Sequence, residues 1–505
     1  MQPNIVLIMA DQLAPQFTAA YGSKAAITPH MDALAARGRL FERAYCNSPL
    51  CVPSRASFMS GQHVTQIDAW DNAAEFPSSV PTFAHYLGAL GYRTCLSGKM
   101  HFVGPDQKHG FTDRVTTDIY PSDFAWTPNW LRNDERIDVW YHNMQTIAES
   151  GTAIATYQTD YDDEAEFAAR RWLIDRARDK AAGRGQPFCL VASFFHPHDP
   201  YVAKPEFWDL YENVDIPAPD IALSADALDP FSRRVADGVE ATSHPMTPEE
   251  TARARRAYLA NVSYFDSKVG ALMRTVEEMG ETETTLFIVT SDHGDLLGER
   301  GMWFKMSFLE HAARIPLIVA GPGVRPGRDE TLCSLIDILP TLLDVGGGSP
   351  DMLAQPVAGR SLRPLFEGQA FEGEVIGEYC AECAGAPVFM IRRGRWKYIH
   401  CDLDPPQLFD LEADPHELCN LAGAPAHADI AADFAREVAG RWDSAAISRR
   451  VIASQQSRLK LHAMMDTTGD NAWDYNPPRD ASNEYVRNHH DWVTTAARAR
   501  FPPIP

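Results

Sequence analysis

The chain has 505 residues, of which 45% are hydrophobic and 23% charged; 68 acidic side chains stand against 46 basic ones, for a formal charge of −22. That composition belongs to a folded protein with ample length for a large core and excludes disorder as the default. The acidic balance argues against a general nucleic-acid surface, which needs clustered Lys and Arg, but leaves room for a small anion held by a few convergent cations.

In chain order, NIVLIM (4–9) is a short apolar run rich in β-branched residues and predicts a buried parallel strand. Asp11 interrupts it, and no basic stretch or cleavage signature accompanies it, so it does not read as a secretory signal. PHMDALAARG (29–38), PTFAHYLGALG (81–91) and the charged, alanine-rich stretches at 163–182 and 250–279 predict helices. CLVASFF (189–195), TLFIVT (285–290) and PLIVAG (316–321) repeat the strand signature. The alternation predicts an α/β domain over 1–370, with a large, mostly parallel sheet flanked by helices.

From 371 to 450 the texture changes: VFMIRRGRWKYIHC (388–401) predicts a hairpin of a smaller antiparallel sheet, with FAREVAGRW (434–442) as a helix packed on it. Residues 451–505 are polar and aromatic without clear periodicity and predict a C-terminal arm. No apolar run approaches the ~18 residues that span a membrane. Nine scattered cysteines, an odd number, suit a reducing compartment. The expectation is a cytoplasmic protein with no membrane and no nucleic-acid partner.

In open α/β sheets, ligands bind beyond the carboxyl ends of the strands. Here those ends carry Asp11-Gln12, His196-Pro197-His198-Asp199 and Asp292-His293-Gly294-Asp295. Each alone reads as a turn with a helix cap. Together, carboxylates and imidazole suit Ca²⁺, Mn²⁺ or Mg²⁺. Arg55, Lys99 and Lys305 add the clamp a tetrahedral oxyanion requires, and Lys99 and His101 share one side of an extended segment. Such a site wants sulfate or phosphate esters.

C-V-P-S-R at 51–55, followed by ASFMSG, with GKMH (98–101), HPHDP (196–200) and SDHGD (291–295) in order, resembles the sulfatase family of the alkaline phosphatase superfamily over nearly the whole chain. WDNAAEF (70–76), TTDIYPSDFAWTP (116–128), GERGMWFKM (298–306), GEYCAEC (377–383) and YVRNHHDW (485–492) are most similar to its choline sulfatase branch.

The resemblance implies an alkaline-phosphatase-like fold and conversion of Cys51 to Cα-formylglycine by a separate formylglycine-generating enzyme. It implies a gem-diol nucleophile, a sulfo-enzyme intermediate, and a divalent metal ion held by Asp11, Asp292, His293 and the modified Cys51. Gln12, where many sulfatases carry a second aspartate, is then a metal-site neighbour. By the same resemblance Arg55 holds the diol, Lys99, Lys305 and His196 bind sulfate, and His196 or Lys305 protonates the leaving alcohol. His101 serves as base in the second half-reaction.

The implied substrate is a small-molecule sulfate ester, choline sulfate, met by Asn72, Trp126, His142, Glu382 and Asp491; Trp130 and Trp140 are expected to be packing. The resemblance also implies a homo-oligomer, a tetramer, whose arm at 451–505 completes the active site. The rival readings are a phosphonate monoester or phosphate diester hydrolase of the same superfamily, and a non-catalytic binder. A structural thiol or a thiolate nucleophile at Cys51 would not need Pro and Arg at fixed offsets. Cys380 and Cys383 form a C-x-x-C with no second metal-binding pair and read as core.

Overall fold

The computed structural model describes residues 2–132 and 142–468, so Asp491 and Trp140 lie outside the described residues. An eight-stranded sheet is built from β1 (Asn4–Asp11), β2 (Arg39–Phe41), β3 (Arg93–Gly98), β4 (Asp113–Arg114), β5 (Phe188–Pro197), β6 (Thr285–Ser291), β7 (Leu317–Ala320) and β8 (Gly327–Asp329), in the order β8-β2-β7-β6-β1-β5-β3-β4. Strands β6, β1, β5 and β3 are consecutive and parallel. Their unbroken apolar runs follow from burial on both faces, and Ile5 to Ala10 are fully enclosed.

Helices α1 (Pro29–Arg37), α2 (Cys51–Ser60), α3 (Phe83–Ala89), α4 (Tyr157–Ala181) and α5 (Pro248–Glu278) surround this sheet, with α4 and α5 packed on β5 and on each other. Local chemistry sets the start of α5. Pro248 occupies its first turn, the Glu250 amide donates to the Thr247 hydroxyl at 3.2 Å, and the Thr247 amide donates to the Glu250 carboxylate at 2.9 Å.

One predicted strand differs in sense: β7 lies antiparallel to β6. A parallel return needs a crossover to the far edge of the sheet. The chain between Ser291 and Leu317 instead stays at the carboxyl edge, where it carries Asp292, His293 and Lys305.

The smaller sheet is antiparallel, in the order β9 (Glu374–Tyr379), β10 (Val388–Arg393), β11 (Trp396–Cys401), β12 (Gln407–Asp410), with α6 (Ala428–Arg441) packed on β11. The predicted hairpin turns at Gly394, whose positive φ of 53° suits a residue without Cβ. The start of the arm departs from its sequence reading, because α7 (Ser444–Thr468) is a long helix. Its buried positions include Ile447, Val451, Gln455 and Arg458, and two polar residues on that face hide the helical period from a hydrophobicity reading. No helix among the described residues is long and apolar enough to cross a membrane.

The small sheet braces a loop of the large one. Lys397 on β11 is buried and donates to the Phe308 carbonyl at 2.7 Å, to Glu417 at 2.8 Å and to Glu310 at 2.6 Å. Arg300 donates to the Glu417 carbonyl at 2.6 Å. Burial opposes the Lys397 charge, but Glu310 and Glu417 outweigh it and hold the ammonium protonated. Lys397→Met leaves these carboxylates without their cation and is expected to destabilise the fold by about 3–5 kcal/mol. Urea unfolding checks this, and a loss below about 1 kcal/mol, the scale of an exposed pair, would contradict it.

Candidate active site

The carboxyl ends of β6, β1, β5 and β3 converge on one buried cluster. Asp11 closes β1, Asp292 and His293 follow β6, and Lys99 follows β3. Helix α2 is wholly buried and begins at Cys51; Arg55, four residues on, shares its face. The Ser54 hydroxyl donates to the Asp292 carbonyl at 2.6 Å and fixes the first turn of α2 against β6.

One ligand atom each from Asp11, Cys51, Asp292 and His293 lies within 4.8 Å of the others. The Cys51 thiol is 3.5 Å from His293 Nε2 and 3.9 Å from Asp11 Oδ1. Arg55 donates through Nε to Asp292 at 2.8 Å and through a terminal nitrogen to Asp11 at 3.1 Å. It also reaches the Lys99 carbonyl at 2.7 Å and the Ser193 hydroxyl at 2.8 Å. Lys99 Nζ pairs with Asp11 and stands 3.6 Å from Cys51 Sγ. Two buried carboxylates and an imidazole, all facing one point, fit a hard or borderline divalent cation.

Electrostatics follow from this packing. Burial alone would raise the Asp11 carboxyl, but Lys99, His198, Arg55 and His293 together hold it well below its usual range. Burial, against the opposing pull of Asp292, lowers His293 to about 4, which leaves a neutral imidazole suited to a metal. Burial and Asp11 push the Cys51 thiol up to about 11. An unmodified Cys51 is therefore a thiol at neutral pH and a poor thiolate nucleophile.

Lys305 enters beside this cluster and donates to Gln12 Oε1 at 2.5 Å and to His198 Nε2 at 2.7 Å. The Gln12 amide nitrogen is turned the other way, onto Asp295 at 2.6 Å, so Gln12 orients Lys305 through its oxygen. His101 is buried beside Tyr120 and Trp126, with ring centroids 5.1 and 5.8 Å away. Neither of its ring nitrogens has a hydrogen-bond partner among the described residues. Burial and the neighbouring Lys99 lower it to about 3, so the imidazole is neutral.

His196 does not face this site, contrary to the sequence reading. Its Nδ1 is 2.7 Å from Asp162, and its ring packs against Tyr264. The imidazole that reaches Lys305 is His198, whose Nδ1 is 2.7 Å from the Asp199 carbonyl. The cause lies in the strand end. Between Met9 and Asp11 the β1–β5 register slips, so that Ser193 and then Pro197 oppose them, and the alternation of side chains fails there. The HPH motif signals two imidazoles, and only the register chooses between them.

On the alcohol side, Tyr120 joins the site without a sequence signal beyond its place in an aromatic-rich segment. Its ring lies 4.2 Å from Lys99 Nζ and 4.9 Å from the Trp126 ring. Asn72 accepts from the Val52 amide at 3.0 Å, at the start of α2. The His142 ring lies tilted to those of Phe304 and His198, with centroids 5.3 and 6.2 Å away, and stands 3.9 Å from the Glu382 carboxylate. Cys380 is a buried thiol and Cys383 a half-buried one, and neither belongs to the group of clustered ligand atoms.

The Sulfatase family model matches residues 3–348. The chain belongs to the sulfatase family. Residues 449–501 of this sulfatase match the family described as "Choline sulfatase enzyme C terminal", and 298–442 match "N-sulphoglucosamine sulphohydrolase, C-terminal". It is 45% identical over 506 residues to a choline-sulfatase of Rhizobium meliloti, covering 99% of each chain. Arylsulfatase K of Bos taurus is 28% identical over 83% of this chain and 78% of its own. Among solved structures, the phosphonate monoester hydrolase of Agrobacterium radiobacter superposes with a TM-score of 0.68 at 23% identity, covering 87% of this chain and 95% of its own. The sulfatase fold is thus the expected α/β one, and the protein is a sulfuric ester hydrolase.

Proposed function

We propose that this sulfatase hydrolyses choline sulfate to choline and sulfate, with Asp11, Asp292, His293 and a formylglycine derived from Cys51 holding one divalent, oxygen-preferring cation. Residue 51 is an unmodified cysteine in the structure, and its Sγ stands in for the oxygen of the modified side chain. When present, the aldehyde hydrate supplies the hydroxyl nucleophile and the cation supplies Lewis-acid activation.

The chain's own residues do the rest. Arg55, tied to both Asp11 and Asp292, keeps residue 51 and the carboxylates in one arrangement. Lys99 and Lys305 flank the cluster and complement the sulfate oxygens, whose charge grows in the transition state. An alkyl alkoxide is a poor leaving group and needs a proton. Lys305 Nζ donates to His198 Nε2 at 2.7 Å, and its ammonium, aimed by that imidazole, is the group placed to give it. The sulfate-side place that the motif offers to His196 passes to His198. His101 is neutral with open ring nitrogens, and it serves as the base that takes a proton from the side chain of residue 51 when sulfate is released.

One observation carries the choice of alcohol: Tyr120 and Trp126 on one side, and His142 with Glu382 on another, adjoin the cation clamp. A quaternary ammonium has no N–H to donate, so its recognition rests on aromatic faces and a nearby carboxylate. The test compares kcat/KM for choline sulfate, 4-nitrophenyl sulfate and a phenyl phosphonate monoester. Choline sulfate is expected to be the best of the three; faster turnover of the phosphonate would replace this reading with the phosphonate hydrolase one.

A further inference from the structure

The residues placed on the alcohol side come from three distant parts of the chain, yet one face of α7 touches the neighbour of each. Arg458 grips Asp71 with both terminal nitrogens, at 2.6 and 2.7 Å, and one of them also reaches the Thr127 hydroxyl at 3.2 Å. Asp71 precedes Asn72, and Thr127 follows Trp126. One turn earlier, Gln455 accepts from the Trp130 amide at 2.9 Å, and Trp130 Nε1 donates to the Ala381 carbonyl at 2.8 Å, immediately before Glu382. Gln456 donates to Asn129 at 2.9 Å. Arg458, Asp71, Thr127, Gln455 and Trp130 are all buried.

We infer that Arg458 is a positioning residue for substrate selectivity: through Asp71 and Thr127, and with Gln455 through Trp130, it sets Asn72, Trp126 and Glu382 in one register around the alcohol. This rests on the reading of those three residues given above. The chemistry favours arginine at this point. A planar fork meets both carboxylate oxygens at once and still reaches a hydroxyl, which a lysine point charge does not. Consecutive Cα atoms are only about 3.8 Å apart, so a shift at Asp71 or Thr127 passes directly to its neighbour. Arg458 hydrogen-bonds to Ser454, Asp71 and Thr127, and although Asn72 accepts from the Val52 amide, α2 and Arg55 keep their own ties to Asp11, Ser193 and Asp292, so the sulfate half of the site is held when the brace is removed.

The experiment measures kcat and KM for choline sulfate and for 4-nitrophenyl sulfate in the full chain carrying Arg458→Met, Arg458→Lys, or Asp71→Asn with Arg458→Met. The double variant removes the unpaired buried carboxylate, and Arg458→Lys keeps the charge, so folding is preserved where the single Met variant loses it. A misplacement of the order of 1 Å costs about a hundredfold, so the choline-to-aryl ratio of kcat/KM is expected to fall at least about tenfold in each folded variant. The fall comes mainly through KM for choline sulfate, with aryl turnover within about threefold of wild type. Folded variants that keep the wild-type ratio, or that lose both esters equally, overturn the inference. A wild type with no preference for the choline ester overturns the substrate reading instead, which separates the two failures.

Discussion

Cys51→Ala is expected to lower kcat for choline sulfate by on the order of 10⁴-fold or more, the scale of losing a nucleophile, with the thermal midpoint close to that of wild type. The thiol is buried at the first turn of α2 with its pKa pushed up to about 11, so cysteine itself offers little thiolate at neutral pH. In the proposed mechanism the activity depends on conversion of this side chain. Mass spectrometry of the peptide containing residue 51 should find an aldehyde in place of the thiol, in a fraction that tracks specific activity across preparations. A Cys51→Ala enzyme with unchanged kcat, or active wild type with only thiol at position 51, would refute the mechanism.

His198→Ala removes the acceptor that aims the Lys305 ammonium and is expected to cost about 10²–10⁴-fold in kcat for choline sulfate, the range of disabled general acid catalysis. Its effect should shrink for 4-nitrophenyl sulfate, because a phenolate leaves without prior protonation. His196→Ala provides the contrast. Asp162 still accepts from the Phe195 and His196 amides at 2.7 and 3.0 Å after that imidazole is removed, so the strand end keeps its partners. Its kcat should stay within about tenfold of wild type, since it acts only through the packing beneath the site. Steady-state kinetics on the two esters decide this. A larger loss in His196→Ala than in His198→Ala would return the acid to His196.

Much of the fold was legible because parallel strands buried on both faces must be continuously apolar, and NIVLIM, CLVASFF and TLFIVT carry that mark with helical stretches between them. The sense of β7 was not, since the direction of a strand depends on where its connection runs. Nor was the helix at Ser444–Thr468, whose inner face carries Gln455 and Arg458 where a period count looks for apolar residues. The candidate cluster was legible as far as strand ends and motif offsets reach: Asp11, Cys51, Asp292 and His293 do come together. His196 and His198 have the same parity, and a register slip at the end of β5 separates their fates.

By itself, the sequence determined the α/β class, the edge of the sheet at which chemistry collects, and a cysteine embedded in a sulfatase signature. Those properties are local: they depend on periodicity, on the residues just past a strand's end, and on fixed spacing along one helix. The tertiary structure decided which imidazole meets Lys305, that Gln12 turns its oxygen to that lysine, and that Tyr120 walls the site beside Trp126. It also decided that a helix more than 300 residues away grips the segment holding Asn72. Each of these turns on side-chain direction and on contacts between distant segments, which packing sets and no local pattern encodes.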